Sequence, residues 1–201
     1  MKLVFKALGW ALLVALAVGI YAGYRIGFGH PFTINQLADR QAVAFVARNP
    51  ELFTQIGVVD GTLLDTHSGK LAPVGVAKRD GDYAFAEKAL AEVRRFDRAK
   101  LSVQDQITFD ILEDQYESAL AFKPFAWVSS EGVFPVNQMW GTNVGLPAFM
   151  LSGHTIKNAK TAENFVRRME AMGGKVDGLT AEMQRQAQAR SEEHTSELQS
   201  Q

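Results

Sequence analysis

The most continuous apolar pattern in the chain lies near its N-terminus. Residues 7–24, ALGWALLVALAVGIYAGY, contain no charged side chain. At 1.5 Å of rise per residue, a helix of this length nearly spans a bilayer core of about 30 Å. The pattern predicts a membrane-spanning helix, and residues 1–29 are assigned to a signal anchor. A cleaved signal peptide is the alternative, with Ala17-Val18-Gly19 as a small-x-small cleavage site.

Charged residues on either side of this run predict its orientation. Lys2 and Lys6 precede it and Arg25 follows it. The positive-inside rule therefore favours an N-terminus in the cytoplasm and a soluble part on the other side of the membrane, or secreted if the signal is cleaved.

Helical periodicity resumes after Phe32. Thr33 and Gln36 fit a capping box, in which each side chain satisfies a free backbone N–H at the start of a helix. Asn49-Pro50 ends that helix and opens a short one that reaches about Phe53. Residues 57–81 are rich in Gly, Asp, Pro and Ser, which predicts an extended loop.

Two further helices are predicted to form an antiparallel hairpin. The first runs from Asp82 to about Ala99, and the second is capped by Ser102 with Asp105 and ends at Pro124. Only a few residues connect them, and short connections join antiparallel neighbours. The apolar stripe of the second helix is expected to bury the side chains of Ile107, Ile111 or Leu112, Tyr116 and Leu120.

An aromatic, glycine-rich stretch over residues 125–154 separates this hairpin from the last helix. That helix begins near Thr161, and Gly173-Gly174 is expected to bend or split it. The fold class is all-α: an N-terminal membrane-spanning helix followed by a helical domain with one long aromatic loop. The apolar stripes exceed what these helices bury among themselves, so residues 30–189 are expected to be the N-terminal part of a larger, here incomplete, domain.

Composition excludes several functions. The formal net charge is −1, whereas a nucleic-acid-binding surface needs a clear basic excess, so no nucleic-acid partner is expected. The chain has no cysteine, which excludes disulfides, thiolate metal sites and cysteine nucleophiles.

The C-terminal segment, residues 190–201, matches a laboratory reagent. In one reading frame, a widely used sequencing-library adapter encodes Arg-Ser-Glu-Glu-His-Thr-Ser-Glu-Leu-Gln-Ser, which is the sequence from Arg190 to Ser200. We therefore expect residues 190–201 to be an adapter-derived, non-native tail and the natural gene to continue beyond Ala189.

The central part of the chain carries a distinctive series of motifs. They are Pro-Val-Asn-Gln at Pro135–Gln138, Leu-Pro-x-Phe-Met at Leu146–Met150, His154, and an aromatic-x-x-Arg-Met-Glu helix at Phe165–Glu170. In this order they resemble the bacterial domain-of-unknown-function 885 family, and the likeness covers roughly residues 37–189.

This resemblance implies a zinc-dependent, peptidase-like hydrolase held at or exported across the bacterial inner membrane, with its soluble part facing the periplasm or exterior. Family members are longer than this chain and look like all-α zinc-peptidase relatives. Their expected metal motif is His-Glu-x-x-x-Gly-His, in which a Glu activates a zinc-bound water.

That motif does not occur here, since the four histidines are His30, His67, His154 and His194 and none has a partner at ligand spacing. We therefore expect no catalytic residue, no metal ligand and no cofactor in this fragment, with zinc held by the full-length parent. The expected partners are the membrane, the missing C-terminal part of the domain and, for the parent, a peptide substrate.

The aromatic loop supplies candidate substrate-binding residues. Asn137, Gln138 and His154 place polar groups beside Trp140, a mixture typical of ligand pockets. In the alternative interpretation the aromatic side chains fill the core, Asn137 and Gln138 satisfy loop backbone, and His154 is a buried structural histidine.

A second polar group lies in the predicted loop before Asp82. His67 is two residues from Asp65 and seven from Asp60, and these three side chains fit either a metal site or an ordinary polar turn.

One function of another class also fits composition and periodicity. The chain is then a complete, non-enzymatic, membrane-anchored helical sensor or scaffold module. Genomic sequence beyond the codon for Ala189 separates the two hypotheses.

Overall fold

The computed structural model describes residues 2–125, 136, 139 and 141–199, with backbone only at 2–5, 7–8 and 190–199. This part of the chain contains α-helices and no β-strand, which confirms the all-α class. The helices are α1 Lys2–Gly27, α2 Ile34–Ala47, α3 Pro50–Ile56, α4 Val76–Val93, α5 Val103–Ala121, α6 Thr142–Ala148 and α7 Ala159–Gln199.

Helix α1 contains the apolar N-terminal run. Its segment Gly9–Gly27 is long and apolar enough to cross a membrane or to serve as a signal sequence. The side chains described in this segment are not buried against the rest of the protein. Both interpretations of the N-terminus are consistent with this helix.

The chain divides into two compact units. The first comprises Met1–Val43 and Lys88–Glu117, and the second comprises Ala44–Glu87 and Ser118–Gln201. Helices α2, α4 and α5 each contribute residues to both units, whereas α3, α6 and α7 belong to the second.

The first unit contains a buried polar link among three helices. Gln41 of α2 donates to the carbonyl of Ala89 on α4 and accepts from the hydroxyl of Tyr116 on α5, at 3.1 and 3.0 Å. A buried amide needs such partners, because an unmet buried donor or acceptor costs about 1–3 kcal/mol. At the start of α2, the hydroxyl of Thr33 accepts from the N–H of Gln36, as the capping box predicts.

The hairpin of α4 and α5 has the predicted antiparallel arrangement. Arg94 pairs with Glu113 and Glu117 across the two helices, and Arg98 pairs with Asp110 nearer the connecting turn. Both arginines follow the end of α4, and their partners occur along α5 in the reverse order, as expected for antiparallel neighbours.

Two details of this hairpin correct the sequence interpretation. Helix α4 begins at Val76 instead of Asp82, and Gly81 lies within it. Lys78 and Asp82 form an i,i+4 ion pair across that glycine, which offsets part of its cost in a helix. In α5, Tyr116 is buried as expected and Leu112 and Leu120 are half-buried. Ile107 and Ile111 are exposed, and Phe109 is buried instead.

The second unit contains an apolar cluster beside α7. Leu146 of α6 and Phe149 and Met150 of the π-helical turn that follows it pack against Leu71, Phe165 and Met172. The described part of the predicted aromatic loop is therefore helical from Thr142 to Gly153. Helix α7 continues through Gly173-Gly174, so these glycines do not split it, whereas the alternative of a bend stays a prediction.

Candidate functional site

The side chain of Arg168 occupies the centre of the second unit. It projects from α7, its exposed fraction is 0%, and its guanidinium stacks over the ring of Phe149 at 4.9 Å. It donates to five acceptors, at distances from 2.7 to 3.3 Å. These are the carbonyls of Lys70, Pro50 and His67, the hydroxyl of Thr54, and Nδ1 of His154.

The acceptors that Arg168 contacts are all neutral. Burial lowers the pKa of Arg168, while the more distant carboxylates of Glu51, Asp60 and Asp65 oppose that shift. The planar, five-donor fork of arginine matches several carbonyls at once, which a lysine ammonium cannot do. The residue therefore fixes α3, the loop after it and His154 against α7.

His154 has a defined tautomer in this network. Its Nε2 lies 3.0 Å from the carbonyl of Thr161, which only accepts, so Nε2 carries the proton. Its Nδ1 lies 2.8 Å from an Arg168 nitrogen, which only donates, so Nδ1 is unprotonated. Burial, together with the charge of Arg168, lowers the pKa of His154, which agrees with a neutral ring.

The loop between α3 and α4 places an ionised carboxylate inside the protein. Asp65, whose side chain is fully buried, accepts from the backbone N–H groups of Gly61 and Ser68, from the Ser68 hydroxyl and from the Asn164 amide. Burial alone would raise the pKa of Asp65, but the hydrogen bonds from Ser68 and Gly61 outweigh it and lower that pKa strongly. Gly61 has φ +76°, a left-handed conformation that favours glycine.

His67 lies between two carboxylates of this loop. Its Nε2 is 2.8 Å from Oδ1 of Asp60 and its Nδ1 is 3.4 Å from Oδ1 of Asp65. The side chains of His67 and Asp60 are 6% and 7% exposed. One ligand atom from each of the three residues lies within 4.8 Å of the other two. The ring of Phe53 stacks on His67 at a centroid distance of 3.9 Å.

The hydrogen-bond geometry at His67 is incomplete despite these short distances. Neither ring nitrogen, nor Oδ1 of Asp60, has a hydrogen-bond partner within the described part of the chain. The two carboxylate oxygens therefore lie off the directions in which the ring N–H groups point. Neither contact is therefore a hydrogen bond, because a hydrogen bond weakens steeply away from linearity.

A cleft of about 490 Å³ lies in the same unit, and its lining includes Phe149, on which Arg168 stacks. Lys175 donates to Glu51 within it at 2.6 Å, and Glu51 also accepts from the N–H of Ala72. Burial raises the pKa of Glu51, but the hydrogen bond and charge of Lys175 outweigh it, so the net shift is downward. The lining residues are Phe45, Asn49, Glu51, Leu52, Gln55, Ala72, Pro73, Lys78, Gly141, Thr142, Gly145, Leu146, Phe149 and Lys175.

The structure describes only one of the substrate-cleft candidates. Asn137, Gln138 and Trp140 lie outside the described residues. His154 is buried in the Arg168 network, and the cleft lining does not include it. Arg168 belongs to the motif Phe165–Glu170, but the sequence analysis assigned it no role. That motif is the signal from which a role for Arg168 could have been predicted.

These features define an all-α protein that encloses a buried arginine–histidine network beside an Asp-Asp-His loop. Residues 50–200 match the family model described as "Bacterial protein of unknown function (DUF885)", and the chain belongs to that family. The family resemblance seen in the sequence is thereby confirmed. No curated protein and no solved structure matches the chain.

Proposed function

We propose that this chain is the N-terminal part of a membrane-anchored or exported, zinc-dependent hydrolase of the peptidase type. In this proposal the part within residues 30–189 supplies a wall of the substrate cleft, and a His-Glu-x-x-x-Gly-His motif outside this chain supplies the zinc ligands. The chain alone is then inactive. Its membership of the family carries the proposal, together with the cleft in the matched region.

The chemical character of the cleft supports a peptide-like ligand. Its walls include the apolar side chains of Leu52, Leu146 and Phe149, and the paired charges of Glu51 and Lys175 lie among them. Apolar walls with a few placed polar groups are typical of small-molecule and peptide sites. Since Glu51 remains ionised and paired with Lys175, we assign to this cleft the binding and orientation of the peptide.

The chain's histidines do not fit the zinc motif of such a hydrolase. His154 uses both ring nitrogens within the buried network, and His67 lies on a loop with aspartates as neighbours. No helix of the described chain presents a His-Glu pair at the required spacing. Zinc would polarise the scissile carbonyl and activate water in the parent, and that chemistry is assigned outside this chain.

The first test extends the gene. The source genome is read in frame past the codon for Ala189, and both this chain and the extended protein are assayed against a library of fluorogenic peptides with Zn²⁺. We expect turnover only from the extended protein, abolished when the Glu of its metal motif becomes Gln. An early stop codon without that motif would refute the hydrolase and favour the sensor or scaffold module.

The second test concerns the cleft. A Cβ atom added at Gly145 meets no other atom within 4 Å, so Gly145→Phe adds a ring to the cleft lining without a built-in clash. In the extended enzyme we expect this variant to raise KM at least tenfold with the fold retained, while Gly145→Ala behaves as the parent. Equal KM values for the two variants would show that the substrate binds elsewhere.

A further inference from the structure

The loop between α3 and α4 presents three potential metal ligands to one another in a buried space. Asp60, Asp65 and His67 come from one short segment, and the side chains of all three are at least nine-tenths buried. We propose that these residues bind a divalent transition-metal cation, for which Zn²⁺ is the probe. This site is independent of the hydrolase proposal and of its zinc.

The unpartnered nitrogens of His67 carry the argument. Buried polar atoms in proteins nearly always have hydrogen-bond partners, so a buried imidazole with two unmet nitrogens needs an explanation. A cation on the lone pair of one ring nitrogen supplies the missing partner of that nitrogen. The neighbouring carboxylate oxygen is then expected to lie off the axis of that nitrogen, because the cation, and not the oxygen, occupies the axis.

The spacing of the ligand atoms is also suitable. Ligand atoms about 2.1 Å from a tetrahedral cation are about 3.4 Å from one another. A cation binds only one ring nitrogen of His67. If that nitrogen is Nδ1, it already lies 3.4 Å from Asp65 Oδ1. With one ligand atom taken from each residue, the three atoms lie within 4.8 Å of one another, so the carboxylate of Asp60 has to move toward the cation.

A protonated His67 explains the same arrangement less well. An imidazolium between two aspartates is stabilised by linear N–H···O bonds to both of them. Here neither contact has that geometry, and the stacked ring of Phe53 restricts the rotation of His67 that would align them. A buried charge without aligned partners is costly.

The surrounding residues hold the ligands in place. Four donors fix the carboxylate of Asp65, and Asn164 of α7 is one of them. The carbonyl of His67 accepts from Arg168, also on α7. Outer hydrogen bonds of this kind orient the ligands in metal sites. A cation here would therefore also fasten the loop to α7.

The ligand set indicates the class of cation. An imidazole with two carboxylates suits Zn²⁺ or Mn²⁺, whereas Ca²⁺ and Mg²⁺ prefer oxygen ligands alone. Three protein ligands leave a fourth position of a tetrahedral Zn²⁺ for water.

The test uses the untagged full chain in detergent micelles, stripped with EDTA and dialysed. We expect one Zn²⁺ per chain by mass spectrometry and, at a Zn²⁺ concentration a hundred times Kd, a Tm about 5–10 °C higher. Asp60→Asn keeps the shape of the side chain and should weaken Zn²⁺ binding at least tenfold. Asp39→Asn, at an exposed position on α2, is the matched control and should bind like wild type.

A measurement on the wild type covers the case in which the variant fails to fold. Co²⁺ added to the stripped chain should give visible absorption bands that Zn²⁺ removes at one equivalent. Absence of these bands, or equal Zn²⁺ binding by Asp60→Asn and Asp39→Asn, overturns the inference. So does a stripped protein whose Tm does not change when Zn²⁺ is added.

Discussion

Replacing Arg168 by Met removes every donor from the buried network and keeps an apolar side chain of similar length. The carbonyl of Lys70 and Nδ1 of His154 receive no other hydrogen bond from the described residues. Each unmet buried acceptor costs about 1–3 kcal/mol, so two unmet acceptors should lower the free energy of unfolding by about 2–6 kcal/mol. Removal of a buried charge offsets part of this loss, and we expect a net destabilisation of about 3 kcal/mol.

Urea unfolding of the full chain in detergent micelles, followed by far-UV circular dichroism, measures this loss. With m values of about 1–3 kcal/mol/M, the transition should move to a urea concentration lower by about 1 M or more. Arg167→Met is the matched control, because Arg167 is adjacent on α7 and its pair with Glu163 is more than half exposed. It should change stability by no more than about 0.5 kcal/mol.

A third variant separates charge from geometry. Arg168→Lys keeps the cation but loses the planar fork, so we expect most of the destabilisation to remain. If Arg168→Met unfolds at the same urea concentration as Arg167→Met, then the hydrogen bonds of Arg168 do not stabilise the second unit.

Three further predictions follow from the same unit. Because the pKa of His154 is lowered in the fold, the free energy of unfolding should fall as pH drops below about 6.5, with a slope of up to about 1.4 kcal/mol per pH unit. In EDTA-treated protein, His154→Gln should remove this component of the slope. An unchanged slope in that variant would contradict the prediction. Gly61→Ala should lower the free energy of unfolding by about 2 kcal/mol or more, because φ is +76° and the new Cβ would lie 2.7 Å from Asn158 Nδ2. Gly174→Ala, with open space around it, should raise the free energy of unfolding by about 0.5–1 kcal/mol. Thermal melts of the two variants measure the difference. In the absence of detergent, residues 30–189 expressed alone should aggregate, and a soluble monomer by size-exclusion chromatography would count against an incomplete core.

The helices were predictable because local rules determine them. The Thr33 cap, the Pro50 boundary and the apolar run of α1 each depend on residues within a turn or two of one another. The errors arose where tertiary contacts override such rules. Gly81, expected at the end of a loop, lies inside α4, where Lys78 and Arg48 both pair with the neighbouring Asp82. Propensity is a weak guide where such contacts compete with it.

The burial pattern of α5 was harder to predict. The expected stripe was Ile107, Ile111 or Leu112, Tyr116 and Leu120. Tyr116 is buried as expected, but Ile107 and Ile111 are about half exposed while Phe109 is 6% exposed. Aliphatic side chains occur on more than one face of this helix, so periodicity alone does not select the face that packs.

The candidate site divides into a part within reach of sequence reasoning and a part beyond it. Asp60, Asp65 and His67 belong to one short loop, so their spacing alone suggested a common site. The partners of Arg168 lie up to 118 residues away in sequence, and no local pattern brings them together. A buried arginine in an otherwise amphipathic helix looks, from sequence, like a solvent-facing charge.

Helix α7 shows how a well-formed polar centre is compatible with the incomplete core that we propose. One side of α7 buries Arg168, Asn164 and Thr161 in the second unit. Four apolar side chains elsewhere on the same helix are 41–53% exposed. They belong to Val166, Met169, Val176 and Met183. They recur at intervals of three and seven residues, which places them in one stripe along the helix. Contiguous apolar surface of this kind is unusual on a soluble monomer. The network can therefore fix the local geometry of the second unit while this apolar stripe of α7 is exposed. The expected aggregation of residues 30–189 follows from that stripe, not from any weakness at Arg168.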